Sequence, residues 1–196
     1  MSHVRKAEEK DLASVLRLLV QVNMVHHNGR PDLFKGPVTK YTADELRAIF
    51  QDPKTPVFVC TDDAGAVQGY IMCVFKRHVN DNLMTDIQTL YIDDLCVDET
   101  LRGSGVGRAL YEYVVAFAKE SGCYNVTLNV WTLNPSAMRF YEKLGMKPRR
   151  IEMEHILPDA PLKSAQPALS EKFPPERLRV PKALLGRAPR NAERGN

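Results

Sequence analysis

Apolar positions at Leu12, Val15, Leu16, Leu19 and Val22 recur three and four residues apart, the spacing of one helix face, and predict a helix over 11–23 behind a short strand over 3–5. The run HHNGRPDLFKGP over 26–37 then breaks every period, because Gly29, Pro31, Gly36 and Pro37 punctuate it, and reads as a long irregular loop. Thr42 with Glu45 three positions on has the spacing of a capping box and opens a short helix over 42–52. Two β-branched and aromatic runs, 56–63 and 66–77, flank a turn cluster at 62–65 and predict an antiparallel hairpin. A third strand over 86–97 alternates through Ile87, Thr89 and Tyr91 and then changes phase at Asp93 and Asp94, as a bulge or a splayed strand end would. Val106, Leu110, Tyr113, Val114 and Phe117 mark an amphipathic helix over 106–120, stopped by Gly122. A strand over 124–131 follows. Asn134-Pro135 then supplies an N-cap and a first-turn proline for a helix carrying Ala137, Phe140, Tyr141 and Leu144, with Gly145 as its stop and a last strand over 146–157. A hairpin first and strand–helix alternation later predict an α+β (mixed α/β) chain with helices on both faces of one sheet.

Composition narrows the class. Of the 196 residues, 44% are apolar and 26% charged, which suits one globular domain with an appendage. The charge is uneven: residues 158–196 hold eight Lys/Arg and four Asp/Glu, so the net +3 of the whole chain leaves −1 for residues 1–157. That tail also carries seven of the thirteen prolines and a single aromatic residue, Phe173, and is expected to be extended or partly disordered. The expected organisation is a domain at 1–157 and a Pro/Arg-rich tail at 158–196. The tail lacks the interleaved aromatic and basic residues of a nucleic-acid surface. No apolar run reaches the roughly 20 residues of a membrane span and the N-terminus has no apolar signal core, so a cytoplasmic protein is expected. Cys60, Cys73, Cys96 and Cys123 are widely spaced and sit in apolar contexts, as reduced buried thiols do. No histidine stands at metal-ligand spacing from a cysteine, and no metal is implied.

The stretch LRGSGVG at 101–107 carries the first chemistry. Gly103, Gly105 and Gly107 allow tight turning and close ligand approach, and a helix starting at Val106 would turn its unpaired N–H groups and positive dipole end toward an anion beside Arg102. A strand-to-helix turn that needs glycine for geometry alone fits this stretch equally well. Its neighbours decide: a strand ending Leu95-Cys96-Val97, then Arg102-x-x-Gly105-x-Gly107, then a helix, then Asn134-x-x-Ala137-x-x-Phe140-Tyr141 closing on Gly145. Over 3–157 this order resembles the GCN5-related N-acetyltransferase superfamily, whose acetyl-CoA signature runs R/Q-x-x-G-x-G/A and whose later helix carries N-x-x-A-x-x-F-Y.

The resemblance implies a mostly antiparallel central sheet splayed at its middle, and acetyl-CoA as cosubstrate. It places the pyrophosphate on the backbone of Arg102, Gly103, Ser104, Gly105, Val106 and Gly107, and the pantetheine arm along Leu95, Cys96 and Val97 as an added strand. A backbone N–H near Cys96 or Val97 would polarise the thioester carbonyl. Asn134 would contact the coenzyme arm, and it is equally an N-cap. Tyr141 matches the family's general acid, with an amphipathic core tyrosine as the alternative. Asp93 and Asp94 are the nearest acids; in a regular strand they face opposite ways, and Asp93, which shares parity with Leu95, is the preferred base or amine-orienting group. The YIDDLCV run is also similar to the acidic pair of the diamine and polyamine acetyltransferase branch. His26, His27, Arg30, Asp32 and Phe34 of the irregular loop, with Tyr91, are candidate acceptor contacts. The implied partner is a small-molecule or peptide amine, with a homodimer left open. Cys96 lacks an obvious base, which argues against a covalent intermediate. The alternative to an enzyme is a non-catalytic acyl-CoA-binding module.

Overall fold

A computed structural model describes residues 3–158. The chain divides into two units, Met1–Ile151 and Glu152–Asn196. Among the described residues, the first contains strands β1 (His3–Lys6), β2 (Val57–Thr61), β3 (Val67–Lys76), β4 (Thr89–Val97) and β5 (Asn125–Leu128), and helices α1 (Leu12–Gly29), α2 (Ala43–Gln51), α3 (Val106–Glu120) and α4 (Pro135–Lys143). In the second unit the described residues, 152–158, hold no helix or strand. The basic tail lies beyond them, outside the described residues.

The strands form one sheet in the order β1-β2-β3-β4-β5. The first three junctions are antiparallel, and β4 pairs β5 in parallel. A parallel junction needs a crossover, and α3 supplies it. Strand β2 is buried at all five positions because both of its faces are covered. Val57 and Val59 join Tyr70, Met72, Val15, Leu18, Leu19 and Leu46 on the side of α1 and α2, whereas Phe58 and Cys60 join Ile71, Leu90, Val106, Leu110 and Val114 on the side of α3. Leu110 and Val114 are fully buried, each worth about 1.5–3 kcal/mol in area removed from water. Ahead of α1, Arg5 donates to both carboxylate oxygens of the buried Asp11, at 2.7 and 2.9 Å, and the Glu8 amide adds a third bond at 2.8 Å.

The phase change in β4 is a bulge. Met72 pairs Asp94 and Cys73 pairs Ile92, which leaves Asp93 without a cross-strand partner on β3. Parity flips there, so Leu90 and Ile92 before the bulge and Leu95 and Val97 after it all pack on the α3 side. The last β4–β5 pair is Ile92 with Leu128. From Asp93 onward that edge of β4 has parted from β5.

Four elements differ from the sequence-based expectations, the first being β4, which starts at Thr89 instead of 86. Helix α1 continues to Gly29 instead of ending near 23, because nothing between Asn23 and Asn28 breaks a helix; His26 and His27 therefore stand on its last turns rather than in a loop. Strand β5 stops at Leu128. The strand expected over 146–157 is absent: Pro148 removes a ladder donor, and Ile151, Met153, Ile156 and Leu157 are exposed.

Candidate active site

The turn from β4 into α3 is held from α1. Gln21 donates to the Val97 carbonyl at 2.9 Å and accepts from the Glu99 amide at 3.1 Å, and Arg17 pairs with Asp98 at 2.7 Å. Asp98 in turn accepts from the Thr100 amide and hydroxyl, and Ser104 closes the loop by donating its hydroxyl to the Leu101 carbonyl at 2.6 Å. Gly103 and Gly105 have φ of +84° and +95°, and a Cβ on either would meet nothing within 4 Å. Their requirement is backbone handedness, and the face they present is open. Helix α3 starts after Gly105 with no side-chain cap, so its first amides point into that open face. This cradle, with Arg102 exposed beside it, has the unpaired amides and positive dipole end that favour an anion. Gly107 differs, because a Cβ there would sit 3.4 to 3.5 Å from Phe140 and Val97, ordinary packing contact between α3, α4 and the end of β4.

At the bulge, Asp93 and Asp94 both reach groups from the α1/α2 side. Asp93 binds the Lys40 ammonium at 2.6 Å, and the Tyr41 hydroxyl donates to the same oxygen at 3.4 Å. Asp94 accepts from the hydroxyl of Tyr70, a fully buried residue of β3, at 3.0 Å. Desolvation pushes the Asp94 carboxyl up to about 6, against the opposing pull of the Tyr70 hydrogen bond and the Lys40 charge. The opposite-faces arrangement of a regular strand does not hold, because the bulge breaks the alternation, and Asp94 is a desolvated acid. Cys96 and Cys73 are buried thiols pushed up to about 12 by desolvation, with Asp94 adding to the shift at Cys96 and Asp93 at Cys73. Neither is a nucleophile at neutral pH.

Helix α4 brings up the opposite wall. Asn134 caps it, its side-chain oxygen accepting from the Ala137 amide at 3.1 Å and the Ser136 hydroxyl at 2.7 Å, with Pro135 in the first turn. Tyr141 is half-buried, with ring centroids 5.1 Å from Phe140 and 6.5 Å from Tyr111. Its hydroxyl is held far above the ordinary tyrosine value by desolvation first and by the fields of Asp94, Tyr111 and Cys73 next. The proton therefore stays on Tyr141 throughout the neutral range.

The remaining candidates form a second cluster. His26 stacks on Phe34 at 5.0 Å, and Phe34 meets Trp131 edge-on at 5.2 Å, around a small recess also lined by Val25, Leu133 and Asn134. His27 donates from Nδ1 to the Phe34 carbonyl at 2.7 Å, and Arg30 binds Asp32 through Nε and Nη2. Burial, with Lys40 second, lowers the His26 pKa. Tyr91 lies under the Lys76 ammonium, 3.2 Å from the ring centroid. Trp131, Tyr70 and Lys40 join the site without a local motif to announce them; Trp131 carries a signal, as the chain's one tryptophan at the end of the strand expected over 124–131. Among the described residues, no group of three or more His, Cys, Asp or Glu could hold a metal, and no helix is long and apolar enough to cross a membrane.

This geometry has close counterparts. Residues 24–146 match the profile of the acetyltransferase (GNAT) family. Probable glucosamine 6-phosphate N-acetyltransferase 2 of Oryza sativa is 29% identical over 57% of this chain and 69% of its own length, and thialysine N-epsilon-acetyltransferase of Bos taurus is 24% identical over 72% and 82%. The chain spans about two fifths of the lengths of the glucosamine 6-phosphate N-acetyltransferases of Trypanosoma brucei brucei (41%) and Arabidopsis thaliana (40%). Among solved structures, a tetramutant of the BH1408 protein of Bacillus halodurans superposes with a TM-score of 0.76 at 32% identity, over 79% of this chain and 99% of that one. The chain therefore belongs to the acetyltransferase (GNAT) family, with the fold and the sequence of an acetyl-CoA-dependent N-acetyltransferase.

Proposed function

We propose that the protein transfers an acetyl group from acetyl-CoA directly to a primary amine of a small molecule or peptide, with Asp94 accepting the amine proton and Tyr141 protonating the departing thiolate. Acetyl-CoA supplies the acetyl group as a thioester. The observation that carries the reading is the approach of Tyr141 to Asp94 near the edge where β4 has left β5: after desolvation, the Asp94 charge is the largest influence on the Tyr141 hydroxyl. A carboxyl poised at about 6 is largely ionised at neutral pH and basic enough to take a proton, directly or through one water. Sequence parity favoured Asp93 for that role, but the Lys40 ammonium already occupies it. The Tyr141 hydroxyl keeps its proton and can give it only as negative charge develops on sulfur.

The coenzyme would lie on the Gly103–Gly105 cradle and the first amides of α3, with its arm along Leu95, Cys96 and Val97. The high thiol pKa of Cys96 supports a single displacement without an acyl-enzyme. His26, His27, Arg30, Asp32, Phe34 and Tyr91, with Trp131, would face the acceptor. Relatives are named for glucosamine 6-phosphate, thialysine and, at 28% identity in Escherichia coli, peptidyl-lysine, which supports an amine acceptor without choosing one. The free, widely spaced cysteines support a cytosolic setting. A panel of amino sugars, diamines, amino acids and lysine peptides, scored by thiol release and by mass of the acetylated product, tests the proposal and selects among the acceptors.

A further inference from the structure

We infer that Lys40 is a specificity-determining residue: its ammonium occupies the acceptor-ammonium position at Asp93, and an incoming amine must displace it. The inference rests on the reading of the β4 acid pair as the acceptor site.

Lys40 comes from the segment between α1 and α2, 53 residues before the aspartate it pairs with. Its Nζ lies 2.6 Å from Asp93 Oδ2 and 5.2 Å from the Tyr41 ring centroid, and the Tyr41 hydroxyl reaches the same oxygen. A carboxylate and an aromatic face together are what an alkylammonium group selects. Burial acts against the charge on Lys40, yet Asp93, Tyr41 and Asp94 outweigh it, so the residue stays cationic at neutral pH. The Lys40 side chain is 44% exposed and carried on irregular backbone, so solvent reaches the pair and the side chain can leave. A pair of this exposure is weak, and a competing ammonium with further contacts can overcome it. Simple amines lack those contacts and are held off, while an acceptor that also engages the neighbouring aromatic and charged side chains is admitted.

The test compares the full chain with Lys40→Met, which keeps the aliphatic stem, Lys40→Gln as a second neutral variant, Lys40→Arg, and Lys40→Met combined with Asp93→Asn. Calorimetric binding of n-butylammonium is measured in the presence of coenzyme A, and thiol release from acetyl-CoA with the same amine panel is measured in parallel. Both neutral variants are expected to bind n-butylammonium about tenfold more tightly than the parent chain, the arginine variant to match the parent, and the double variant to lose the gain. Binding no tighter in either neutral variant overturns the role of Lys40, and parent turnover in the same experiment leaves acetyl transfer standing. A gain in binding that depends on Asp93, with no thiol release from any protein, keeps Lys40 at its position and removes acetyl transfer instead.

Discussion

The hydroxyl of Tyr70 on β3 donates to the Asp94 carboxylate on β4 at 3.0 Å. Because Tyr70 is fully buried, this bond does two things at once: it satisfies a polar atom inside the core and restrains an acid that desolvation would otherwise push higher.

The pair gives Asp94 a signature in pH. With its pKa raised to about 6, the carboxyl must lose its proton before it can accept one, so kcat/KM rises through that pH and levels above it. Asp94→Asn should remove this limb and lower kcat on the order of a hundredfold. Tyr70→Phe deletes a bond that lowers the Asp94 pKa and should move the midpoint upward. In stability, a carboxyl raised on folding contributes fully below its unfolded value of about 3.9, and the contribution is lost as pH rises through about 6. A midpoint near 4 in the rate profile would contradict the placement.

Tyr141→Phe removes the proton donor and keeps the ring against Phe140 and Tyr111. Turnover should fall about a hundredfold or more while the dissociation constant for acetyl-CoA stays within about twofold. Unchanged turnover would take Tyr141 out of the mechanism.

Gly105 of the cradle and Gly107, packed inside the first turn of α3, separate by conformation. Gly105→Ala forces a side chain onto φ +95° and should cost about 1–2 kcal/mol in loop geometry, weakening acetyl-CoA binding. Gly107→Ala only adds a methyl in ordinary contact with Phe140 and Val97 and should bind acetyl-CoA as the parent does. Calorimetric titration of both variants with acetyl-CoA checks the contrast.

Away from the site, Asp11 is 2% exposed and held below its ordinary pKa: burial opposes the charge, and the Arg5 and Glu8 hydrogen bonds more than offset it. Asp11→Ala leaves the Arg5 guanidinium and the Glu8 amide without their acceptor, at a cost of about 3 kcal/mol, near the low end for a broken buried pair because water reaches Arg5. Since the Asp11 pKa is depressed, its stabilisation is present above the unfolded value of about 3.9 and lost as pH falls through the folded one. Denaturant melts of parent and variant should therefore converge toward acid pH and differ most near neutrality.

Local chemistry was readable from the chain where one short stretch decides the outcome. Thr42 and Glu45 form the reciprocal cap their spacing predicts, α3 covers Val106–Glu120 as its apolar stripe requires, and the broken alternation at Asp93 is a bulge. What the sequence hid depends on partners far along the chain. Lys40 and Asp93 are 53 residues apart, Tyr70 and Asp94 are 24 apart, and neither pairing leaves a local period. The bulge was visible, but its consequence was not: alternation put the two aspartates on opposite faces, and only the register against Met72 and Cys73 shows both reaching the same side. Helix α1 runs into the stretch that Gly29 and Pro31 punctuate because no breaker precedes Gly29, and the apolar alternation past Pro148 suggests a strand for which the described residues hold no partner.

The most direct test of the account is thiol release from acetyl-CoA by the full chain against a panel of primary amines, with mass spectrometry of the acceptor after the reaction. Stoichiometric release of coenzyme A with an N-acetylated product, dependent on Tyr141 and Asp94 and leaving no acetyl group on Cys96, is the predicted result. Tight acetyl-CoA binding without turnover of any amine, or an acetyl-enzyme trapped on Cys96, would contradict it.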